Sequence, residues 1–389
     1  MSDVHAESSS EPAPPSQSGE PTPPKRLLEV LGKLALSLLV TLLLLVIAEG
    51  TASFIWLARD LDESGVTLAE HRHTRFDPLL GWINEPSVSI PDMYGPGLPL
   101  HINSQGFRAT RDYSTEVPNG RLRILCSGDS FTLGYGVGDQ QTWASQLEQL
   151  EPKLETVNMG QGGYGVDQAY LWYARDGAKL EHDVQLFAFI TGDFLRARRA
   201  LNYGLPKPVL ALNDGELEPR GVPLSRLPFL FPYFVHNRKR FSELNILRLV
   251  NDTDAKSAQA RGIAMTEEQL REVCVAMFRE LKRINEERGS QLIAVHLPGE
   301  KDVKNENTKS WVSFLDKELS ALEIPYFNLV EDLGEVKPTA VRKLFLQEEQ
   351  VDFPGAAGHF TDAGNEWAAE RVLERLMNLP TFSAELATR

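Results

Sequence analysis

Two cysteines in a chain of 389 residues exclude a disulfide framework. Cys126 sits in an apolar run and Cys274 in an amphipathic helical pattern, as small buried hydrophobes do. Positive charge is scarce too: 40 Lys and Arg stand against 54 Asp and Glu, a net charge of −14. The chain therefore lacks the basic face with which a nucleic-acid binder meets phosphates. Clustered metal ligands are missing as well. His71-Arg72-His73 is the nearest approach, and without a cysteine or a carboxylate pair it reads as surface sequence. No metal or cofactor is expected, and no internal repeat is found.

A long apolar run is present once, near the N-terminus. Residues 1–24 are rich in Ser, Pro and Glu, with no group to bury, and read as a disordered tail. Residues 25–58 follow as an anchor. Leu34 to Ala48 is apolar apart from Ser37 and Thr41, and the extension to Ala58 exceeds the roughly 20 residues a bilayer needs. Glu49 fits one interface, with Trp56 at headgroup level. Lys25, Arg26 and Lys33 precede the span, while Asp60, Asp62 and Glu63 follow it. That bias predicts a single-pass inner-membrane protein with its N-terminus in the cytoplasm and its bulk outside. A cleaved signal peptide ending near Gly50-Thr51-Ala52 competes, but the long acidic tail suits it poorly.

Residues 59–120 carry turn formers ("DPLLGW", "GPG", "NSQGFR") and predict short strands. From 121 to 379 apolar strands alternate with helices. Strands are expected at 122–127, 155–159, 184–190, 291–297 and 325–329, and helices at 139–150, 166–178, 266–288, 305–322 and 361–378. This pattern predicts a flavodoxin-like three-layer α/β/α fold around a parallel five-stranded sheet. Residues 195–262 interrupt the rhythm with a hairpin turning at Asn213-Asp214-Gly215 and the aromatic-rich "LPFLFPYFVHNRKRF", an insertion suited to a lid or substrate wall. Residues 380–389 read as a C-terminal tail.

Chemistry enters at "RILCSGDSFTLGYGVGD". Open α/β sheets bind ligands beyond the carboxyl ends of their strands, and Ser130 falls there, just before a helical pattern. Amides at a helix start favour developing negative charge, and a nucleophilic serine further needs a base. Taken alone, a serine in such a turn is more often a helix cap. The second strand, however, ends in "NMGQGGYG", whose glycines allow close backbone approach. Late in the chain, "GHFTDAGN" places His359 before a helix, where a general base is expected.

"GDSFTLGYGV", "NMGQGGYG" and "GHFTDAGN" resemble, in order and spacing, the sequence blocks of the SGNH (GDSL-type) hydrolases, over about residues 120–379. "NSQGFR" and the apolar N-terminal run resemble membrane-anchored bacterial members. The resemblance implies Ser130 as nucleophile and oxyanion donor, Asp129 supporting its turn, Gly163 as second oxyanion amide five residues after Asn158, and His359 as base. Two positions depart from the pattern. In "FITGDF", Gly192, followed by Asp193, stands where the family has an oxyanion-binding Asn. Loss of one such donor costs other enzymes roughly 10²–10³ in turnover. Ala356 stands where the family has the Asp that orients the base. Asp352 is the nearest upstream carboxylate to replace it; otherwise a backbone carbonyl orients a Ser–His dyad.

The implied activity is acyl-ester hydrolysis or O-acyl transfer outside the cytoplasm, on an acyl ester or acylated carbohydrate. The alternative is a catalytically weakened module that binds glycan or a partner protein. "GQGGYG" also satisfies G-x-G-x-x-G, but Glu181 and Asp183 precede the next strand, the wrong end for a dinucleotide site. A mononucleotide site at "SGDSFT" leaves His359 unexplained. Arg196, Arg198 and Arg199, with Arg238, Lys239 and Arg240, read as solvated charge runs. Phe229, Phe231, Tyr233 and Phe234 suit either sugar stacking or a small core. His296, ending a strand, reads as a satisfied buried histidine or as a support to the site; His182 and His236 carry no spacing argument.

Overall fold

Five apolar runs become the strands of one parallel sheet because both of its faces are covered by helices. The computed structural model describes residues 25–64, 72–202, 205–226 and 264–389. The expectations placed on residues 1–24, on His71 and on the aromatic and basic run of the insertion lie outside the described residues. The chain divides into two units, Met1–Trp56 and Leu57–Arg389. Helix α1 spans Lys25–Ser64, and its stretch Arg26–Ile55 is long and apolar enough to cross a membrane.

Four short strands precede the sheet. β1 (Thr74–Asp77) and β2 (Gly81–Asn84) form one antiparallel pair, and β3 (Val88–Ile90) and β4 (Leu100–Ile102) another. Next come β5 (Leu122–Gly128), the one-turn helix α2 (Ser130–Leu133), α3 (Trp143–Leu150), β6 (Leu154–Gly160), α4 (Val166–Arg175), β7 (Val184–Phe189) and α5 (Thr191–Ala197). The insertion begins with β8 (Leu201–Asn202) and β9 (Leu205–Pro206). It continues into β10 (Val209–Asn213) and β11 (Glu216–Arg220). These last two pair antiparallel around Asp214 and Gly215, whose φ values of 51° and 87° make the two-residue turn that the Asp-Gly sequence predicts. After the insertion come α6 (Glu267–Glu286), β12 (Gln291–His296), α7 (Glu306–Ala321), β13 (Tyr326–Asn328), α8 (Leu329–Glu335), α9 (Pro338–Val341), α10 (Asp362–Met377) and α11 (Pro380–Thr388).

The sheet order is β13-β12-β7-β5-β6, every neighbouring pair parallel. The chain steps from β5 to β6 on one side and then crosses to β7 on the other, so the switch point lies between β5 and β7. There the connections diverge and leave a crevice beyond the carboxyl ends. Alternate residues sort into two cores. Leu125, Val157, Phe187 and Ala294 pack beneath α4, α6 and α7. Ile124, Cys126, Leu186 and Val295 pack beneath α3, α8, α10 and α11. This period of two is what a sheet buried on both faces requires. Both cysteines are free and buried.

Two segments differ most from the sequence reading. The helix expected from 139 starts at Trp143, because Thr142 caps it by accepting the Ser145 amide at 3.2 Å. Before it, Asp139 is held by Arg108 (Nε to Oδ1, 2.9 Å) and by His101 (Nδ1 to Oδ2, 2.5 Å). The segment read as a C-terminal tail is helix α11, which buries Phe382 and Leu386 in the second core.

Candidate active site

The end of β5 at the switch point presents Ser130. Its neighbour Asp129 caps α2: Oδ1 accepts the Phe131 amide at 2.9 Å. The turn sits low on the sheet because β6 ends in a glycine. A Cβ on Gly160 would lie 2.1 Å from the Leu133 amide nitrogen, so only glycine lets α2 rest on the tip of β6. Asn158 fastens the same contact, donating to the Thr132 carbonyl at 2.7 Å and accepting the Gly160 amide at 3.0 Å. The Asn158 side chain is thereby spent on joining two backbone turns.

The Gly160–Gly165 loop is held from behind by β2. Trp82 Nε1 donates to the Gly162 carbonyl at 2.8 Å, and Gln161 Nε2 to Asn84 Oδ1 at 2.8 Å. Carbonyl and N–H of one trans peptide point in opposite directions. With the Gly162 carbonyl on Trp82, the Gly163 N–H points away from it. Gly163 itself takes φ 73°, and its carbonyl accepts from Asn202 Nδ2 at 2.7 Å. Among the described residues, neither the Ser130 amide nor the Gly163 amide has a hydrogen-bond acceptor.

His359 arrives from the far end of the chain on a pinned loop. The Leu346 amide donates to the His359 carbonyl and the Gly358 amide to the Leu346 carbonyl, both at 2.8 Å. The imidazole lies against Phe131 (ring centroids 4.6 Å) and Tyr135 (5.3 Å). Its Nε2 is 2.7 Å from Ser130 Oγ, and its Nδ1 is 3.2 Å from the Ala356 carbonyl. One tautomer satisfies both contacts. The proton sits on Nδ1 and is donated to Ala356, leaving the Nε2 lone pair to accept from the serine hydroxyl. Burial is the main cause that lowers the His359 pKa to about 4; Arg196 lowers it further, and Asp129 and the backbone carbonyls oppose. The ring is thus a neutral acceptor at neutral pH.

The structure does not bring Asp352 to this site. Its exposed carboxylate lies beside Gly95, where a Cβ would stand 2.8 Å from Oδ2. The backbone carbonyl of Ala356, the position where the sequence pattern lacks its aspartate, faces Nδ1 instead. Gly192 lies in the first turn of α5, partly exposed. Asp193 is turned inward: Oδ2 accepts the Ile190 amide at 3.0 Å and Oδ1 accepts from Arg196. Burial and the neighbouring Asp129 carboxylate push the Asp193 pKa well above the usual carboxylate range. Arg196, read as part of a solvated run, reaches the carboxylate beside Ser130: Nη1 donates to Asp129 Oδ2 at 3.1 Å and to the Tyr164 carbonyl at 2.7 Å. Its spacing from Asp193, three residues along a helix, is the sequence signal that separates it from Arg198 and Arg199.

His296 is a satisfied core histidine, with Nε2 3.0 Å from Thr191 Oγ1 and Nδ1 2.9 Å from the Tyr326 hydroxyl. His182 is satisfied likewise by Tyr173 (2.9 Å) and the Leu180 carbonyl (2.6 Å). Among the described residues no group of His, Cys, Asp and Glu is arranged to hold a metal.

No protein-family model matches the chain, and no curated protein matches it. Solved structures similar to it include the lipase/acylhydrolase from Enterococcus faecalis (14% identity, 66% of this chain and 95% of that chain, TM-score 0.37). Also similar are a member of the lipolytic protein G-D-S-L family from Veillonella parvula (11%, 66% and 100%, TM-score 0.38) and an acetyl xylan esterase (13%, 66% and 100%, TM-score 0.35). Likeness at these scores carries no argument about chemistry, which rests on the contacts between Ser130, His359 and Ala356.

Proposed function

We propose that this protein is a serine-dependent acyl-ester hydrolase of the SGNH type, tethered to the membrane by α1 with its α/β unit outside the cytoplasm. The observation that carries the reading is the 2.7 Å contact from His359 Nε2 to Ser130 Oγ, with the opposite ring nitrogen on a carbonyl. In the first half-reaction Ser130 Oγ bonds to the ester carbonyl carbon while its proton passes to His359 Nε2. The carbonyl oxygen becomes an oxyanion received by the amides of Ser130 and Gly163. Collapse expels the alcohol, which leaves with the proton from His359. An acceptor then gives its proton to His359 and attacks the acyl carbon, and Ser130 Oγ leaves as a hydroxyl after taking that proton back from His359. Water as acceptor gives an esterase; a sugar hydroxyl gives an O-acyltransferase. An acylated envelope carbohydrate is the substrate that suits a tethered, outward-facing site.

The test is turnover of short-chain aryl esters by the full chain in detergent, alongside Ser130→Ala. Equal rates for the two proteins would end the proposal. A second reading, a glycan- or partner-binding module with weak catalysis, draws on Ser130 being only 4% exposed and on a base without a carboxylate partner. Under that reading Ser130→Ala retains glycan affinity and the native chain turns over no ester.

A further inference from the structure

Ser130 Oγ has two acceptors within reach, and only one serves catalysis. His359 Nε2 lies at 2.7 Å and Asp129 Oδ2 at 3.4 Å. A carboxylate that close competes for the hydroxyl hydrogen. It also places negative charge beside an oxygen that gains negative charge as its proton passes to His359. Asp129 cannot simply be dispensed with, because its other oxygen caps the nucleophile turn.

The same Oδ2 is engaged by Arg196 Nη1 at 3.1 Å. The guanidinium is fixed in turn by the Tyr164 carbonyl at 2.7 Å and by Asp193. Asp129 and Asp193 are 1% and 2% exposed, and Arg196 19%. Gly192 lies beside the guanidinium, where a Cβ would stand 3.7 Å from Arg196 Nη2 in ordinary contact.

We propose that Arg196 is a positioning residue: by holding the Asp129 carboxylate it keeps the Ser130 hydroxyl directed at His359 and cancels the negative charge beside the reacting oxygen. This role rests on the serine-hydrolase reading, but it concerns a charge balance that exists without substrate. Among the described residues, the charged groups facing His359 are Asp129 and Arg196. Among the described residues, those facing Arg196 include Asp129, Asp193 and His359, with Lys207 beyond, itself paired to Asp167. Arg196 thus stands between two buried carboxyl groups, and burial together with the Asp129 carboxylate raises the Asp193 pKa well above the usual range, so the guanidinium's charge falls mainly to Asp129.

The experiment is an NMR titration of ¹³C-labelled histidine in the full chain in detergent micelles, with His359→Asn identifying the resonance. It is read beside kcat and KM for an aryl ester. Arg196→Gln leaves Asp129 unopposed, so the imidazolium is favoured and the His359 midpoint moves up by about one pH unit. Arg196→Lys keeps the charge and holds the midpoint within about 0.3 unit. Asp129→Asn, which still caps the turn, moves it down, and that variant decides the matter if Arg196→Gln does not fold. The expected kinetic signature of Arg196→Gln is a kcat lowered by about 10-fold to 100-fold with KM within about threefold, since the lost interaction acts on the chemical step. Midpoints unchanged in both Arg196→Gln and Asp129→Asn overturn the proposal, whatever the activity. Absent turnover in the native chain would instead remove the hydrolase reading and leave the titration result standing.

Discussion

Ala356 and His359 are joined twice: the Ala356 carbonyl accepts the His359 backbone amide at 3.1 Å and faces its ring Nδ1 at 3.2 Å. A peptide dipole thus stands where a carboxylate orients the base in many serine hydrolases. It fixes the tautomer without adding negative charge, so among the described residues no carboxylate on that side holds the imidazolium, and burial takes the His359 pKa to about 4. Under the proposed function the base works only when neutral, so activity is expected to be lost as pH falls through that value. The account therefore predicts kcat/KM nearly flat from pH 7 to pH 5, with an acid limb near pH 4. A limb at pH 6–7, measured with a neutral ester, would contradict it.

Carboxylate substitutions near His359 follow from the same geometry. Asp352 is exposed and directed at Gly95, so Asp352→Asn is expected to leave kcat/KM within about twofold. Ala356→Asp is expected to restore nothing. The Ala356 methyl is 1% exposed and faces Gly136, whose Cβ would lie 3.0 Å from it, so the carboxylate would be buried there. A loss of about 2–4 kcal/mol in chemical unfolding, with no gain in turnover, is the predicted result.

Gly160 carries the nucleophile turn on the tip of β6. A methyl group there meets the Leu133 backbone at 2.1 Å, which no side-chain rotation relieves. Gly160→Ala should cost about 3 kcal/mol in denaturant unfolding. It should also lower kcat more than KM, because α2 and Ser130 are displaced together. Native-like stability in this variant would show that the turn does not rest on the strand.

His73 lies fully buried with neither ring nitrogen hydrogen-bonded among the described residues, its ring 6.4 Å from that of Tyr135. Burial lowers its pKa from 6.5 to about 4. The unfolded chain therefore takes up this proton first as pH falls, and stability is lost between pH 6.5 and about 4. His73→Phe keeps the shape without the proton. Its thermal midpoint relative to the native chain should rise at pH 5 compared with pH 8; an identical difference at both pH values would refute the assignment.

The strands were legible because each is an apolar run bounded by turn formers, and Ser130 and His359 because their loops carry distinctive residues. Arg196 was not. In the chain it is one of three near-adjacent arginines, and only the helix places it one turn from Asp193 and under Asp129. The Ala356 carbonyl was legible only as one of two alternatives, since a backbone acceptor has no residue signature. Helix α11 was missed although Phe382 and Leu386 stand at helical spacing behind a proline, a signal too short to outweigh a terminal position.

The central claim is that His359 activates Ser130, and covalent trapping reads it most directly. The full chain is incubated with a fluorophosphonate at pH 7, and the modified peptide is mapped by mass spectrometry. The account predicts one adduct on Ser130, absent from Ser130→Ala and slowed by at least about 10³-fold in His359→Asn. Equal labelling rates for the native chain and His359→Asn, or an adduct on another serine, would contradict it.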